Sequence, residues 1–132
     1  VEHERRVAIY DLVEESDFRP DGAPGGPYDL MLGLKDNRLS MDVTGPDYRR
    51  GHMLSLTPLR GVVKDYELIC ESYLQAVRGA SQAQIEAVDM GRRGLHDEGA
   101  RILKERLDGK IDVDHETSRR LFTLVVALCK RG

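Results

Sequence analysis

Tryptophan is absent from this chain, and phenylalanine and tyrosine together supply 5% of it. A core must therefore be built from Leu, Val, Ile and Met. Cysteine is nearly absent too. Cys70 and Cys129 stand far apart with no Cys-x-x-Cys neighbour, which excludes a disulfide framework, a zinc ribbon and a dithiol redox motif. Each falls on the apolar side of an expected helix, so both read as free, buried thiols. No apolar run approaches the ~20 residues of a membrane span. Charge of one sign is also lacking: the formal net charge is −3, whereas a general nucleic-acid binder is usually basic. Nucleic acid is thus an unfavoured partner. Internal repeats and low-complexity tracts are missing as well.

What is there fits one soluble globular domain spanning residues 1–132. Hydrophobic residues make up 40% and charged residues 33%. The first residue is Val1 rather than Met, which leaves room for a native start and a removed targeting segment.

Residues 3–16 predict a helix with Ile9, Tyr10, Leu12 and Val13 as its apolar stripe. Residues 19–27 hold three prolines and three glycines and predict a loop. Two strands follow, with Leu30, Leu32 and Leu34 alternating in the first and Leu39, Met41 and Val43 in the second. Asp36-Asn37 suits a two-residue turn, because Asx side chains tolerate positive φ. That turn pairs Leu34 with Leu39, Leu32 with Met41 and Leu30 with Val43, so all six share one face. Gly45-Pro46-Asp47 is expected to break the sheet, with a third strand over residues 52–56.

Thr57 as N-cap and Pro58 at the first helical position then open a helix that Gly79 closes. Its stripe runs through Leu59, Val62, Val63, Tyr66, Ile69, Cys70, Tyr73, Leu74 and Val77, with Leu68 opposite. Ser81 and Gln84 form a capping box for a helix reaching Leu107, stopped by Gly109. Asp114 caps a last helix in which Leu121, Phe122, Leu124, Val125, Val126 and Leu128 leave almost no polar side. Such a helix is buried against more than one neighbour. The fold class is α+β: an N-terminal helix, a small antiparallel three-stranded sheet, then three helices packed on one face.

The chemistry is concentrated in residues 89–99, where Gly91, Gly94 and Gly99 interrupt a helix at a cost of about 1 kcal/mol each relative to Ala. At 100° per residue, Ile85, Val88, Leu95, Ile102 and Leu103 form the apolar face, and Gly99 and Arg92 lie within it. Asp89 and His96 flank Arg92. In the architectural reading, Gly99 lets a helix approach, Arg92 pairs with a carboxylate and snorkels outward, and His96 is hydrogen-bonded in place. In the ligand-binding reading, Asp89, Arg92, Arg93 and His96 line a cleft for a phosphate or carboxylate, with Arg92 as the bidentate fork. The run matches no phosphate-loop or dinucleotide motif. His96, Asp97 and Glu98 diverge on a helix and cannot chelate one ion, and His52 could reach His96 only through tertiary contact. His3 and His115 read as surface residues. No metal or cofactor is expected. Ser72 lacks a nucleophile turn, and Tyr66 and Tyr73 read as core. Arg49-Arg50, Arg92-Arg93 and Arg119-Arg120 read as solvated pairs that a fold could gather into one patch.

The opening Val1-Glu2-His3-Glu4-Arg5, the stretch from Tyr66 to Tyr73, the motif Ile85-Glu86-Ala87-Val88-Asp89-Met90-Gly91-Arg92-Arg93-Gly94-Leu95-His96, and Arg119 to Leu124 resemble an uncharacterised family of small alphaproteobacterial proteins. The resemblance covers nearly the whole chain. It implies a bacterial, cytoplasmic protein with a short native stretch before Val1, and it brings no activity, substrate or catalytic residue. It also implies a second basic residue at position 61, where this chain has Gly61, so a basic patch there would be weaker.

Without a complete catalytic constellation, the preferred expectation is a non-enzymatic adaptor or regulatory protein. It would bind another protein or a second copy of itself, away from any membrane. The alternative is a small enzyme or binding module for a phosphorylated or carboxylated metabolite using Arg92, His96 and Asp89. An interaction protein should keep the Arg92 charge paired within the chain and expose apolar surface. A ligand module should leave Arg92 unpaired in a pocket.

Overall fold

The computed structural model describes residues 2–131; Val1, which opens the family resemblance, lies outside them. The order is α1 (Glu2–Glu14), β1 (Phe18–Pro20), β2 (Asp29–Lys35), β3 (Arg38–Gly45), β4 (Tyr48–Ser55), α2 (Thr57–Gly79), α3 (Gln82–Leu107), β5 (Ile111–Val113) and α4 (His115–Arg131). This is the α+β arrangement expected: a helix, an antiparallel sheet in the order β2-β3-β4, then three helices.

The first hairpin has the register its alternation requires, with Leu34 opposite Leu39, Leu32 opposite Met41 and Leu30 opposite Val43. Asp36 and Asn37 carry φ of 51° and 61°, the left-handed values of a type I′ turn that matches strand twist. Leu39, Met41 and Val43 are buried, and Leu30, Leu32 and Leu34 are half-buried against them. The third strand begins earlier than the side chains suggest. Gly45-Pro46-Asp47 turns the chain rather than ending the sheet, and Gly45 pairs with Tyr48. Arg49, Arg50 and Gly51 carry no apolar alternation, because on this edge strand the backbone ladder holds the segment and one side faces water.

A second, two-stranded ribbon was not expected. β1 pairs antiparallel with β5, Phe18 opposite Val113 and Pro20 opposite Ile111. It takes Arg19 and Pro20 out of the expected loop of residues 19–27. Strands of three residues are too short to show a period. Pro20 is tolerated because a two-stranded ribbon has free edges. The ribbon ties the segment after α1 to the segment before α4.

The helix termini follow their chemistry, with one exception. Ser81 and Gln84 form the reciprocal capping box. Gly109, at φ 81°, ends α3, and Asp114 Oδ1 accepts from the Thr117 amide at 2.8 Å. Thr57 is not the N-cap of α2. Leu56 takes that position without a side-chain cap. The Thr57 hydroxyl accepts instead from Asn37 Nδ2 at 3.2 Å, and Asn37 Oδ1 also accepts from Arg60 at 2.6 Å. The hairpin turn is thereby tied to the first turn of α2.

α1 ends at Glu14, short of residue 16, and its stripe is misplaced. Ala8 is its buried residue, while Ile9, Tyr10 and Val13 are exposed. α4 packs against both α1 and α3, with Thr117, Ser118, Leu121, Phe122 and Val125 buried. One cluster joins the sheet residues to Leu59, Val62 and Val63 of α2, Leu103 and Leu107 of α3, and Phe122 of α4. The buried residues of α2 all lie in its first two turns, and those of α3 all lie from Gly99 onward. The far halves of the two helices thus stand out from the body as an antiparallel two-helix arm. No residue from 64 to 98 is buried.

Candidate functional site

Residues 89–99 form one uninterrupted stretch of α3, so the glycines do not break the helix. Each has a different surrounding. A Cβ at Gly99 would collide with the Phe122 ring, and one at Gly91 would come within 2.7 Å of Ile69 Cδ1. Gly94 faces open space. Gly99 is therefore where α4 seats on α3, as its position on the apolar face predicts.

The four candidate residues lie along one stretch of α3 in the arm, His96 at its root and the other three further out, in two separate networks. Asp89 is the hub of the first. Its Oδ1 accepts from Arg92 at 2.5 Å and its Oδ2 pairs with Arg93 Nε at 3.0 Å. The Arg92 hydrogen bond, reinforced by the neighbouring Arg93 charge, holds the Asp89 carboxyl below the usual carboxylate range. The Arg92 guanidinium also lies over the Tyr73 ring, 4.8 Å from its centroid, a cation–π contact. Burial alone would lower the Arg92 pKa, but Asp89 and the Tyr66 hydroxyl outweigh it and the net direction is upward. The Arg92 Nε is buried with no acceptor among the described residues.

His96 belongs to the second network. Its ring lies 5.3 Å from the rings of both Tyr66 and Phe122. Its Nδ1 accepts from Arg119 Nε at 3.5 Å, which assigns the proton to Nε2, 2.8 Å from Thr123 Oγ1. The Thr123 hydroxyl passes its own proton to the Arg119 carbonyl at 3.3 Å. Burial, assisted by the Arg119 charge, pushes the His96 pKa down to about 4, so the ring is neutral at neutral pH. Burial likewise pushes the Tyr66 hydroxyl up to about 12.

This geometry engages the charged groups with partners inside the chain. Arg92 and Arg93 share one carboxylate, and both nitrogens of His96 are engaged. Two clefts of the molecule lie elsewhere. A cavity of about 290 Å³ lies among Asn37, Leu56, Arg60, Lys64, Glu67 and Cys129, and one of about 330 Å³ beside Arg101, Lys104 and Val113. Neither includes Asp89, Arg92, Arg93 or His96.

The remaining candidates are dispersed. His52 is buried in β4 opposite Met41, with its Nε2 unpartnered. His115 is exposed beside Asp97 at 3.4 Å. Among the described residues no three metal-ligating side chains cluster, and no helix is long and apolar enough to cross a membrane. Arg119 pairs with Asp97 and Glu116, and Arg120 with Asp11, so these basic residues are already spent on carboxylates. Both cysteines are free, as expected, but half-buried rather than buried. Sequence reasoning placed Tyr66 and Tyr73 as core and gave Thr123 and Arg119 no role in the site. Only the crossing of α4 over α3 brings the last two to His96.

A family model covers residues 1–131. The chain belongs to the uncharacterised protein family UPF0262. Its UPF0262 relatives include a protein of Phenylobacterium zucineum, 59% identical over 99% of this chain and 82% of that one. A second, from Caulobacter vibrioides, is 56% identical with the same coverage. A third, from Azorhizobium caulinodans, is 60% identical over all of this chain and 84% of its own. The function of UPF0262 proteins is unknown. No solved structure matches the chain.

Proposed function

We propose that this chain is a single-domain, cytoplasmic, non-catalytic interaction protein that works as an adaptor or regulator through the α2–α3 arm. One observation carries the reading. The apolar stripe of α2 continues past the body that covers it. Leu59 and Val63 are 1% and 5% exposed, whereas Leu74 and Val77, on the same stripe, are 63% and 53% exposed. Met90 of α3 adds a further apolar side chain on the arm, 73% exposed. Isolated exposed apolar residues need no explanation, but a stripe that changes from core to surface along one helix marks a face built for contact. The Arg92–Asp89–Arg93 cluster midway along the arm fits this reading, because both guanidiniums already contact a carboxylate of the same chain.

A photo-crosslinking amino acid at position 74, in cells making the protein from its own promoter, tests it. Discrete adducts are expected from position 74 and none from position 61, at the exposed start of α2. An arm that yields no adduct at all overturns the proposal.

The second reading, a module for a phosphorylated or carboxylated metabolite, keeps one observation in its favour: the buried Arg92 Nε without an acceptor. It predicts that such a metabolite raises the melting temperature of the wild type but not of Arg92→Met, since selective binding to the folded state stabilises it. If no metabolite in a phosphate and carboxylate panel does so, Arg92 is architectural.

A further inference from the structure

The arm carries its own complement, and we infer that its partner is a second copy of this chain, docked arm against arm about a two-fold axis beside Leu74. The inference rests on the interaction reading above and names the partner of that same face.

Its first support is the position of the uncovered segment. α4 crosses the α2–α3 pair and covers it only at the root. Phe122 meets Tyr66 at 5.9 Å, and Cys129 shares a cleft with Val63 and Glu67. Residues 68–79 of α2 lie beyond that cover, a length of about 18 Å at ~1.5 Å per residue. Two such arms that run antiparallel and overlap fully must share the midpoint of this segment, which falls between residues 73 and 74.

Charge gives the second support, independently. The side chains of Glu71 and Arg78 are exposed and make no hydrogen bond or ion pair with the described residues. Seven residues apart, they lie on one line of the helix surface, on the same flank of Leu74. They are placed symmetrically about the Leu74–Gln75 peptide bond, about one residue from the midpoint of the uncovered segment. In an antiparallel pair about that point, Glu71 of each copy faces Arg78 of the other, twice by symmetry. A symmetric interface must complement itself in this way. In a parallel pair the two-fold axis runs along the helices and carries this flank to the opposite side of the seam, so Glu71 and Arg78 of the two copies do not meet and the charges complement nothing.

The result is a four-helix bundle of two hairpins, the arrangement by which a hairpin with one bare apolar face covers it. Leu74 and Val77 of both copies fill the seam. The contact is short compared with a standard interface of ~1,600 Å², so dissociation in the micromolar range is expected.

Sedimentation of the purified full chain across micromolar to millimolar concentrations should show a monomer–dimer equilibrium. Glu71→Arg or Arg78→Glu alone should raise the dissociation constant about tenfold or more. The double variant carrying both swaps should restore dimerisation, which a general loss of fold would not. Leu74→Cys, with Cys70→Ser and Cys129→Ser, should oxidise to a covalent dimer. A chain that stays monomeric throughout, or charge swaps that fail to rescue each other, overturns the inference. Adducts at position 74 of a mass other than twice the chain also overturn it, while leaving the interaction reading intact. Loss of every adduct removes both.

Discussion

His96 is the residue whose environment most sharply alters its chemistry. Its folded pKa, about 4, lies below the ordinary histidine value of about 6.5. The folded state therefore binds fewer protons than the unfolded state between these values. The stability this contributes is full above pH ~6.5 and is lost as pH falls toward ~4. With part of the ring still reached by water, the effect is on the order of 2 kcal/mol. His52, whose pKa is lowered mainly by burial, with Arg50 and Lys110 adding to it, acts in the same direction. Denaturant titrations at successive pH values should show stability falling through this window. His96→Gln, which can still reach Thr123, should show a shallower fall. An unchanged slope in the variant would remove His96 as the cause. The glycines of α3 supply a second contrast. Gly94→Ala should stabilise by about 0.5–1 kcal/mol, because the site is open and helical. Gly99→Ala should destabilise by about 1–3 kcal/mol, because the added methyl meets the Phe122 ring. Equal melting-temperature shifts in the two variants would contradict this packing.

Among the elements, α3 shows how local signals and tertiary cover divide the work. Its start is local. Ser81→Ala removes the side-chain half of the capping box and should cost about 1 kcal/mol, read as a drop in melting temperature. Because Ser81 lies at the tip of the arm, far from the buried cluster, amide exchange should rise first in residues 81–88. A uniform rise across α3 would argue that the arm is continuous with the core in stability. The hydrophobic periods of α2 and α3 were legible along their whole lengths, and so were their ends apart from the N-cap of α2. What the period could not show is that only one half of each stripe is covered. An apolar residue at the right phase reads the same whether α4 lies over it or water does. The same limit explains α1, where Ile9, Tyr10 and Val13 were read as the inner face but Ala8 is buried.

On the scale of the whole molecule, the body and the arm should respond differently to substitution. Leu59→Asp and Val63→Asp would place a charge inside the buried cluster and should prevent stable folding. Leu74→Asp and Val77→Asp, on the same stripe of the same helix, should leave the stability of the dilute chain within about 1 kcal/mol of wild type, as surface changes do. Circular dichroism melts of the four variants separate the classes. A collapse of stability in the arm variants at low concentration would mean that the arm is core, and the interaction reading would fail.

Sequence alone determined what depends on neighbours a few residues away. The Asp36-Asn37 turn and its register, the Ser81–Gln84 box, the Gly109 stop and the Asp114 cap are all short-range backbone chemistry. The Asp89–Arg92 pair, three residues apart on one helix, is local as well, but the sequence equally allowed Arg92 a carboxylate from another helix. Tertiary structure decided the rest. It closed the β1–β5 ribbon from strands too short to show a period, and it extended β4 through residues with no apolar alternation. It moved α4 across Gly99, so that Thr123 and Arg119, 27 and 23 residues away in the chain, complete the surroundings of His96. By ending that cover near Tyr66, it also left Leu74 and Val77 in water. The physical reason is the same in each case. Hydrogen bonds to a turn or cap are selected within one local segment, whereas burial is selected by which distant surface arrives on top.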